Sequence, residues 1–117
     1  MNTEDFVTYQ QAVKLKELGF SEAVNHYYVD GFDTVRFNPN YFDYSKSENL
    51  ISAPTIWETW KWLRVEKDLY VEPQFMKMDA YTYEILSSHG LHKIDFTVYN
   101  SPEEAISEGI TECLGLL

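Results

Sequence analysis

Cysteine and long apolar runs are scarce in this chain, and each shortage excludes a class of protein. Cys113 is the only cysteine among 117 residues, so no internal disulfide can form. A single thiol is typical of reducing compartments. No stretch approaches the roughly 18 apolar residues of a membrane-spanning helix, and the first residues lack the basic and apolar regions of a secretory signal. We therefore predict a cytoplasmic protein that does not bind membranes.

Basic residues are scarce as well. Nine Lys and Arg stand against nineteen Asp and Glu, which gives a net charge of −10. Nucleic acids and anionic lipids attract clusters of Lys and Arg, so direct binding to nucleic acid is not expected. Two interpretations of the acidic excess stay open. It is either a solvated surface that keeps the protein in solution, or a mimic of nucleic-acid charge that occupies a basic partner.

The composition is otherwise that of a globular protein. Hydrophobic residues make up 44% of the chain and charged residues 24%. A chain of this length buries roughly two-thirds of its unfolded surface, which suffices for a core without metals or disulfides. We therefore predict a single domain spanning residues 1–117, with no cofactor.

The segment 52–65 is predicted to be the central helix, because it holds all three tryptophans within six residues. Thr55 and Glu58 have the spacing of a capping box, in which each side chain accepts a hydrogen bond from the other residue's amide. Pro54 also suits a helix entrance. The helix is therefore expected to begin at this point.

The spacing of the apolar residues predicts which face of this helix is buried. Ile56, Trp60 and Leu63 recur at i, i+4 and i+7, with Trp57 beside them. Trp62 lies off this stripe. We therefore expect Trp57 and Trp60 in the core and Trp62 partly exposed.

Two further helices are marked at their ends. The first, over 8–18, begins with a Thr8 and Gln11 capping pair and ends at Gly19, where Phe20 is expected to fold back on the last turn. The last helix begins at Ser101 and Pro102. Gly109 inside it would permit a close approach to a sheet. Its predicted core stripe consists of Ala105, Ile106, Gly109, Ile110, Cys113, Leu114 and Leu117.

Alternating apolar residues predict the strands, which are 24–29, 34–37, 69–76, 81–86 and 94–98. Asp30 and Gly31 are a turn signal between the first two, and Pro73 should place the third at a sheet edge or at a bulge. The Asn-Pro-Asn sequence at 38–40 is expected to end the hairpin, and 41–50 to be a loop. Because most connections are short, we predict an α+β fold with a mostly antiparallel sheet of four to five strands and three helices on one face.

Few residues suggest chemistry. His89 and His92 near Asp95 could in principle bind a metal, but no cysteine or second carboxylate stands at ligand spacing. Cys113 lies on the apolar stripe of an acidic helix, which is typical of an unreactive core thiol. The carboxylates with helical spacing form a solvated face, and they are Glu104, Glu108 and Glu112. We predict no catalytic, cofactor-binding or metal residues.

Aromatic residues are the remaining feature. Nineteen Phe, Tyr and Trp side chains are more than a core of this size is expected to hide, and tyrosine is enriched at interfaces because it joins a large apolar ring to a polar tip. We predict that part of the hairpin and the following loop binds a protein partner or a second copy, as in a homodimer. The residues predicted for this interface are Tyr27, Tyr28, Tyr41, Phe42, Tyr44 and Trp62.

Three segments carry a resemblance to a known group of proteins. They are Val-Thr-Tyr-Gln-Gln-Ala-Val-Lys-Leu-Lys-Glu-Leu-Gly-Phe at 7–20, Ser-Ala-Pro-Thr with Trp-Leu-Arg within 52–64, and Tyr-Asn-Ser-Pro-Glu-Glu-Ala-Ile at 99–106. In this order the chain resembles a family of small uncharacterised proteins of phages and prophages of gut Bacteroidetes. The resemblance implies a bacterial or viral cytoplasmic protein and supplies no catalytic residues.

These observations favour a small interaction or adaptor protein of phage or mobile-element origin, which acts by contact and catalyses no reaction. Two alternatives come from other classes. One is an acidic charge mimic that inhibits a nucleic-acid-binding enzyme, for which partner binding should depend strongly on salt. The other is a small enzyme whose site is assembled only in three dimensions, for which a deep pocket should join His26 or His89 to a buried carboxylate.

Overall fold

The structure, a computed structural model, describes residues 6–94 and 97–117, and at positions 91, 92 and 94 it describes the backbone alone. Two compact units divide the chain, residues 1–55 and residues 56–117. The elements in chain order are α1 (Tyr9–Glu17), β1 (Val24–Val29), β2 (Arg36–Phe42), β3 (Leu50–Ser52), α2 (Ile56–Lys67), β4 (Tyr70–Lys77), β5 (Ala80–Ser87), β6 (Gly90–Ile94) and α3 (Pro102–Leu116).

The α+β class, the three helices and the antiparallel pairing agree with the sequence prediction. The strands, however, form two three-stranded sheets, β2-β1-β3 and β4-β5-β6, instead of one sheet of four to five strands. The helices are divided in the same way, with α1 in the first unit and α2 and α3 in the second. The single domain stays a prediction, because compactness alone does not show that either unit folds independently.

The ends of α1 are set by its local sequence, as predicted. The Thr8 hydroxyl accepts a hydrogen bond from the Gln11 amide at 3.1 Å, and the Gln11 side chain accepts one from the Thr8 amide at 2.8 Å. At the other end Gly19 has a φ of 90°, and the amide of the buried Phe20 donates to the Leu15 carbonyl at 3.0 Å. Together with the Gly19 amide, which donates to the Lys16 carbonyl at 3.1 Å, this pattern is a Schellman ending.

The first sheet contains an element that the sequence analysis missed. β3 lies where we predicted the end of a loop and the entrance of the central helix, yet it pairs with β1, placing Ile51 opposite Tyr28. Three residues are too few to show a strand period. The predicted hairpin of β1 and β2 is present, but β2 begins at Arg36 and continues to Phe42, through the segment that was expected to break it.

The helix α2 begins where predicted but is rotated about its axis relative to the prediction. Its buried side chains are Ile56, Thr59, Trp62 and Leu63, with Trp62 only 7% exposed. Trp57, which was expected in the core, is 53% exposed. The prediction was wrong for both tryptophans because Thr59 was counted as polar. A fully buried Thr59 moves the buried stripe away from Trp57 and towards Trp62.

Trp60 covers the outer edge of β4. Its indole N–H donates to the Val71 carbonyl at 2.7 Å, so this carbonyl points away from β5. Residue 73 has the same orientation as residue 71 because successive strand residues alternate. The amide proton that Pro73 lacks would therefore lie on the outer side, and no ladder hydrogen bond is lost. The predicted edge position of this strand is confirmed.

The last helix, α3, packs against β4 and β5 and also contacts α2. The Ser101 hydroxyl accepts from the Glu104 amide at 3.1 Å, and Pro102 is the first helical residue. The predicted core stripe is buried except for Leu117, which is 44% exposed. A Cβ on Gly109 would lie 2.3 Å from a methyl carbon of Val71. The close approach to the sheet is therefore confirmed.

β5 is the central strand of its sheet, and β6 begins earlier than the predicted strand 94–98. The chain turns at 88–89, where Ser87 pairs with Gly90, and Gly90 has a φ of 119° that favours glycine. Val98, predicted in the last strand, is 56% exposed outside it. Positions 95 and 96 of that predicted strand lie outside the described residues.

Within residues 6–94 and 97–117, none of the helices combines the length and the apolar character required to cross a bilayer.

Candidate interaction surface

The most distinctive feature of the first unit is an irregularity in the pairing of β1 with β2. Phe37 lies opposite His26, but the next pair along the strands is Phe42 opposite Val24. Four residues of β2, 38–41, therefore lie opposite the single residue Asn25. Such a bulge re-aims side chains and is common at functional sites. We call residues 37–42 the aromatic bulge.

Amide side chains hold the aromatic bulge in place. The Asn25 Nδ2 donates to the carbonyl of Asn38 at 3.1 Å and to that of Pro39 at 3.4 Å. The Asn38 Nδ2 donates in turn to the Tyr44 hydroxyl at 2.9 Å, and the Asn38 Oδ1 accepts from the Asn40 amide at 3.0 Å. Asparagine is suited to this role because its side chain can replace a missing backbone partner. The extra residues thus have a defined conformation.

The base of the aromatic bulge is a buried ring. Tyr44 is 3% exposed, and its ring centroid lies 4.9 Å from that of Phe42 and 5.1 Å from that of Tyr27. The backbone amide of Tyr44 donates to the Ser52 hydroxyl at 3.3 Å. Tyr44 therefore connects the bulge to the core of the unit and to β3, with its hydroxyl and its ring both engaged.

Three rings of the aromatic bulge are turned to solvent. Phe37 is 63% exposed, Tyr41 68% and Phe42 54%. Phe37 and Phe42 pair with His26 and Val24, two positions apart on β1, and therefore share one face of the sheet. Together the three rings expose about 350 Å².

The exposed ring of Phe37 continues a row of aromatic contacts from the core. Its centroid lies 5.2 Å from that of His26, and the imidazole of His26 lies 4.2 Å from the ring of Phe6. Phe6 is buried and Phe37 is exposed. A partner that covers Phe37 would therefore extend a stack that is already ordered within the chain.

The six residues predicted for the interface divide according to their exposure. Tyr41 and Phe42 are exposed and Tyr27 is half-buried. The other three are buried, which corrects the prediction for Tyr28, Tyr44 and Trp62. The Tyr28 hydroxyl donates to the Val7 carbonyl at 2.6 Å. Buried tyrosines of this kind satisfy their hydroxyls internally, so they support the surface without forming it.

Phe37 is the exposed residue of this surface that the sequence analysis missed. It stands directly before Asn-Pro-Asn, at the point where the regular pairing of β2 with β1 stops. Proline in a strand indicates an edge or a bulge. An aromatic residue two positions before such a proline was therefore the signal that could have identified Phe37 as exposed.

Two opposite charges flank the aromatic bulge. Arg36 precedes it and Asp43 follows it, and both side chains are exposed. Neither forms an ion pair with another described residue. Asp43 accepts one hydrogen bond, from the Ser45 amide at 2.9 Å. The surface thus consists of three rings with a cation at one end and an anion at the other, neither of them in an ion pair with a described residue.

Family models, curated proteins and solved structures were each compared with this chain, and none matches it.

The groups considered for metal or acid–base chemistry are described only in part. His89 is exposed in a turn, and His26 lies between two aromatic rings. The side chain of His92 and residue Asp95 lie outside the described part of the chain. Among the side chains that are described, no three His, Cys, Asp or Glu lie where they could hold a metal ion. Glu104 and Glu108 are exposed, and Glu112 pairs with Lys93.

A groove of about 500 Å³ lies beside α1 in the first unit. Lys16 lies in it, but its ammonium already donates to the backbone carbonyls of Ser47 and Leu50. The lining residues are Tyr9, Val13, Lys16, Glu17, Asp30, Glu48 and Ile51. The groove contains neither histidine nor cysteine, and the Tyr9 hydroxyl that lines it donates to the Asp30 carboxylate at 3.2 Å and accepts from the Gly31 amide at 2.8 Å.

Cys113 is inaccessible on the inner face of α3, as the sequence predicted. It is 0% exposed. Its pKa is raised from 9.0 to about 12, mainly by burial and further by the negative charge of Glu112. At pH 8 a thiol with this pKa is about 0.01% thiolate, and the thiolate is the reactive form.

We expect the Cys113 thiol to resist Ellman's reagent at pH 8 in the folded protein and to react fully once guanidinium unfolds the chain. A native thiol that reacts as fast as the unfolded one would contradict the buried position. The unfolded thiol ionises at lower pH than the folded one, so the free energy of unfolding should fall as pH rises above about 9. The fall should be about 1 kcal/mol per pH unit greater than in a Cys113→Ala control.

Proposed function

We propose that this chain is a small cytoplasmic interaction or adaptor protein that binds a protein partner through the aromatic bulge. Its resemblance to phage and prophage proteins supports an origin in a phage or other mobile element. The observation that carries the proposal is the exposure of Phe37, Tyr41 and Phe42 on a segment fixed by internal hydrogen bonds. A chain that uses this surface acts by contact and needs no reactive group.

The fixed conformation of the aromatic bulge favours this function energetically. Binding orders side chains and loops, and each immobilised flexible side chain costs about 0.5–1.5 kcal/mol. Here the side chains of Asn25, Asn38 and Tyr44 already hold the backbone of the bulge in place. Binding therefore has little further loop to order, and its entropic cost is small. Aromatic residues add large contact areas with few rotatable bonds, which is why they dominate binding energy at interfaces.

The distribution of reactive groups also supports binding over catalysis. The Cys113 thiol is buried and protonated, His89 is exposed in a turn, and the groove beside α1 is lined by neither residue type. A catalytic base must lie within hydrogen-bond reach of the group that it activates. The aromatic bulge, by contrast, presents three exposed rings.

A capture experiment with matched variants tests the proposal. The immobilised chain is exposed to lysate of its native host, and bound proteins are quantified by mass spectrometry. The Tyr41→Ser/Phe42→Ser variant should lose at least tenfold of the specific partner, since each ring at the centre of an interface contributes about 1–2 kcal/mol. The control is Phe75→Ser/Met76→Ser, because these side chains are 69% and 60% exposed in the other unit. Capture by the control should stay within twofold of wild type.

Other outcomes of this experiment point elsewhere. Equal losses in both variants would indicate general stickiness of exposed apolar residues and would contradict the proposal. A partner that binds the Tyr41→Ser/Phe42→Ser variant normally but dissociates at 0.5 M salt would instead indicate recognition of the acidic surface, as in the charge-mimic alternative.

A further inference from the structure

We infer that the partner of the aromatic bulge is a second copy of this chain, bound across a two-fold axis. This inference rests on the proposed function, since it assigns an occupant to the same surface. It follows from the sequence of the exposed edge strand, from its two flanking charges, which form no ion pair with a described residue, and from the size of the exposed surface.

The edge strand β2 and the residue after it, Asp43, have a sequence that can pair with a second copy of itself running in the opposite direction. Residues 36–43 read Arg-Phe-Asn-Pro-Asn-Tyr-Phe-Asp. In two antiparallel copies centred on the peptide between residues 39 and 40, Arg36 of one copy meets Asp43 of the other. In the same alignment Phe37 of each copy meets Phe42 of the other, whereas residues 38–41 lie outside the regular ladder. In a two-fold interface every such contact occurs twice, because the same patch serves both copies.

The flanking charges are available for these contacts. Arg36 and Asp43 are exposed and have no ion-pair partner among the described residues. A basic partner would be attracted by Asp43 but repelled by Arg36. An acidic partner would be attracted by Arg36 but repelled by Asp43. A second copy pairs with both charges at once, which a purely basic or a purely acidic partner cannot do.

The bulge determines how the two copies meet. Pro39 has no amide proton, and residues 38–41 leave the regular ladder, so side chains and not a continuous backbone ladder form the contact. Bulges and prolines are the usual means by which an edge strand avoids unlimited strand addition. A two-fold contact closes on itself, so the assembly stops at two copies.

The size of the patch limits the strength of the dimer. About 350 Å² of ring surface per copy, with the flanking polar side chains, gives roughly 1,000 Å² in total, at the lower limit of specific interfaces. The net charge of −10 on each copy opposes association at low salt. We therefore expect a dissociation constant of about 10–100 μM at 0.15 M salt, with the rings supplying affinity and the charges supplying register.

Charge reversal tests the pairing of positions 36 and 43 directly. Sedimentation of the full chain from 5 to 500 μM is measured for wild type, Arg36→Glu and Asp43→Lys. Each single variant places like charges opposite each other twice, so its dimer should weaken at least tenfold. The double variant Arg36→Glu/Asp43→Lys exchanges the charges and should dimerise like wild type. An equimolar mixture of the two single variants should also dimerise, because position 36 of each then meets an opposite charge at position 43 of the other.

Control variants separate this pairing from changes in net charge or folding. Lys61→Glu and Glu66→Lys alter the net charge by the same amounts at exposed positions of α2, and should leave the dimer unchanged. Far-UV circular dichroism confirms that each variant is folded.

The outcomes distinguish this inference from the proposed function. Wild type that stays monomeric at 500 μM would overturn the dimer, as would single variants that dimerise like wild type or a mixture that fails to associate. If another protein is then still captured in a manner dependent on Tyr41 and Phe42, the proposed function stands with a different partner. Recovery in the mixture and in the double variant would establish the two-fold pairing.

Discussion

Replacing Gly109 with alanine is expected to lower the free energy of unfolding by about 2 kcal/mol, although alanine is the better helix former by about 1 kcal/mol. The added Cβ would lie 2.3 Å from the Val71 methyl and 3.2 Å from the ring of Tyr83. Val71 is buried, and its β-branched side chain has little freedom to turn away. The helix must therefore move off the sheet. Urea denaturation of the two proteins measures the difference.

Gly115 provides the matched control on the same helix. A Cβ at Gly115 meets no atom within 4 Å, so Gly115→Ala should be neutral or should stabilise the protein by up to about 1 kcal/mol. In a Val71→Ala background, the methyl group that causes the clash is absent. There Gly109→Ala should cost at least 1 kcal/mol less than in wild type. Equal stability of Gly109→Ala and Gly115→Ala would contradict the close approach.

Trp62→Ala is expected to destabilise the protein by about 3–5 kcal/mol, whereas Trp57→Ala should cost less than about 1 kcal/mol. The two residues are of the same type and lie five positions apart on α2, but Trp62 is 7% exposed and Trp57 is 53% exposed. Removing Trp62 leaves a large cavity, and it also removes the ring over which the Lys67 ammonium lies at 5.5 Å. Thermal denaturation followed by circular dichroism measures both variants.

The order of these two effects tests the rotation of α2. The pattern of apolar residues in the sequence predicts that Trp57→Ala is the more destabilising variant, and the structure predicts that Trp62→Ala is. A larger loss for Trp57→Ala would show that the helix face was correctly read from the sequence. The stability of Trp62→Phe should lie between that of wild type and that of Trp62→Ala, because phenylalanine retains part of the buried volume.

Helix ends were the part of the fold that the sequence predicted best, because they depend on a few neighbouring residues. Thr8 with Gln11, Gly19 with Phe20, and Ser101 with Pro102 each fix a terminus through hydrogen bonds within about one turn. Pro73 likewise marked a sheet edge, since proline cannot donate a hydrogen bond wherever it stands. Gly109 likewise indicated a close approach from its own chemistry, because glycine has no side chain.

The missed features depend on contacts between distant residues. The rotation of α2 follows from the burial of Thr59, which nothing adjacent in the sequence announces. The path of β2 through Asn-Pro-Asn depends on the side chain of Asn25, thirteen positions away from Asn38. The third strand of the first sheet, β3, has only three residues, which are too few to show a period. Local patterns cannot supply this information.

The candidate surface was predicted in part. An excess of aromatic residues correctly indicated exposed rings near the hairpin, and Tyr41 and Phe42 are exposed. The sequence could not show which tyrosines turn inward. That depends on partners for their hydroxyls, which are the Val7 carbonyl for Tyr28 and the Asn38 side chain for Tyr44.

The placement of all three tryptophans on α2 has a practical consequence for folding studies. Every indole lies in residues 56–117, whereas residues 1–55 contain tyrosines and no tryptophan. Emission excited at 295 nm therefore reports on the second unit alone, while far-UV circular dichroism reports on both. Coincident melting curves from the two signals would mark one cooperative structure, and separated curves would mark two that melt independently.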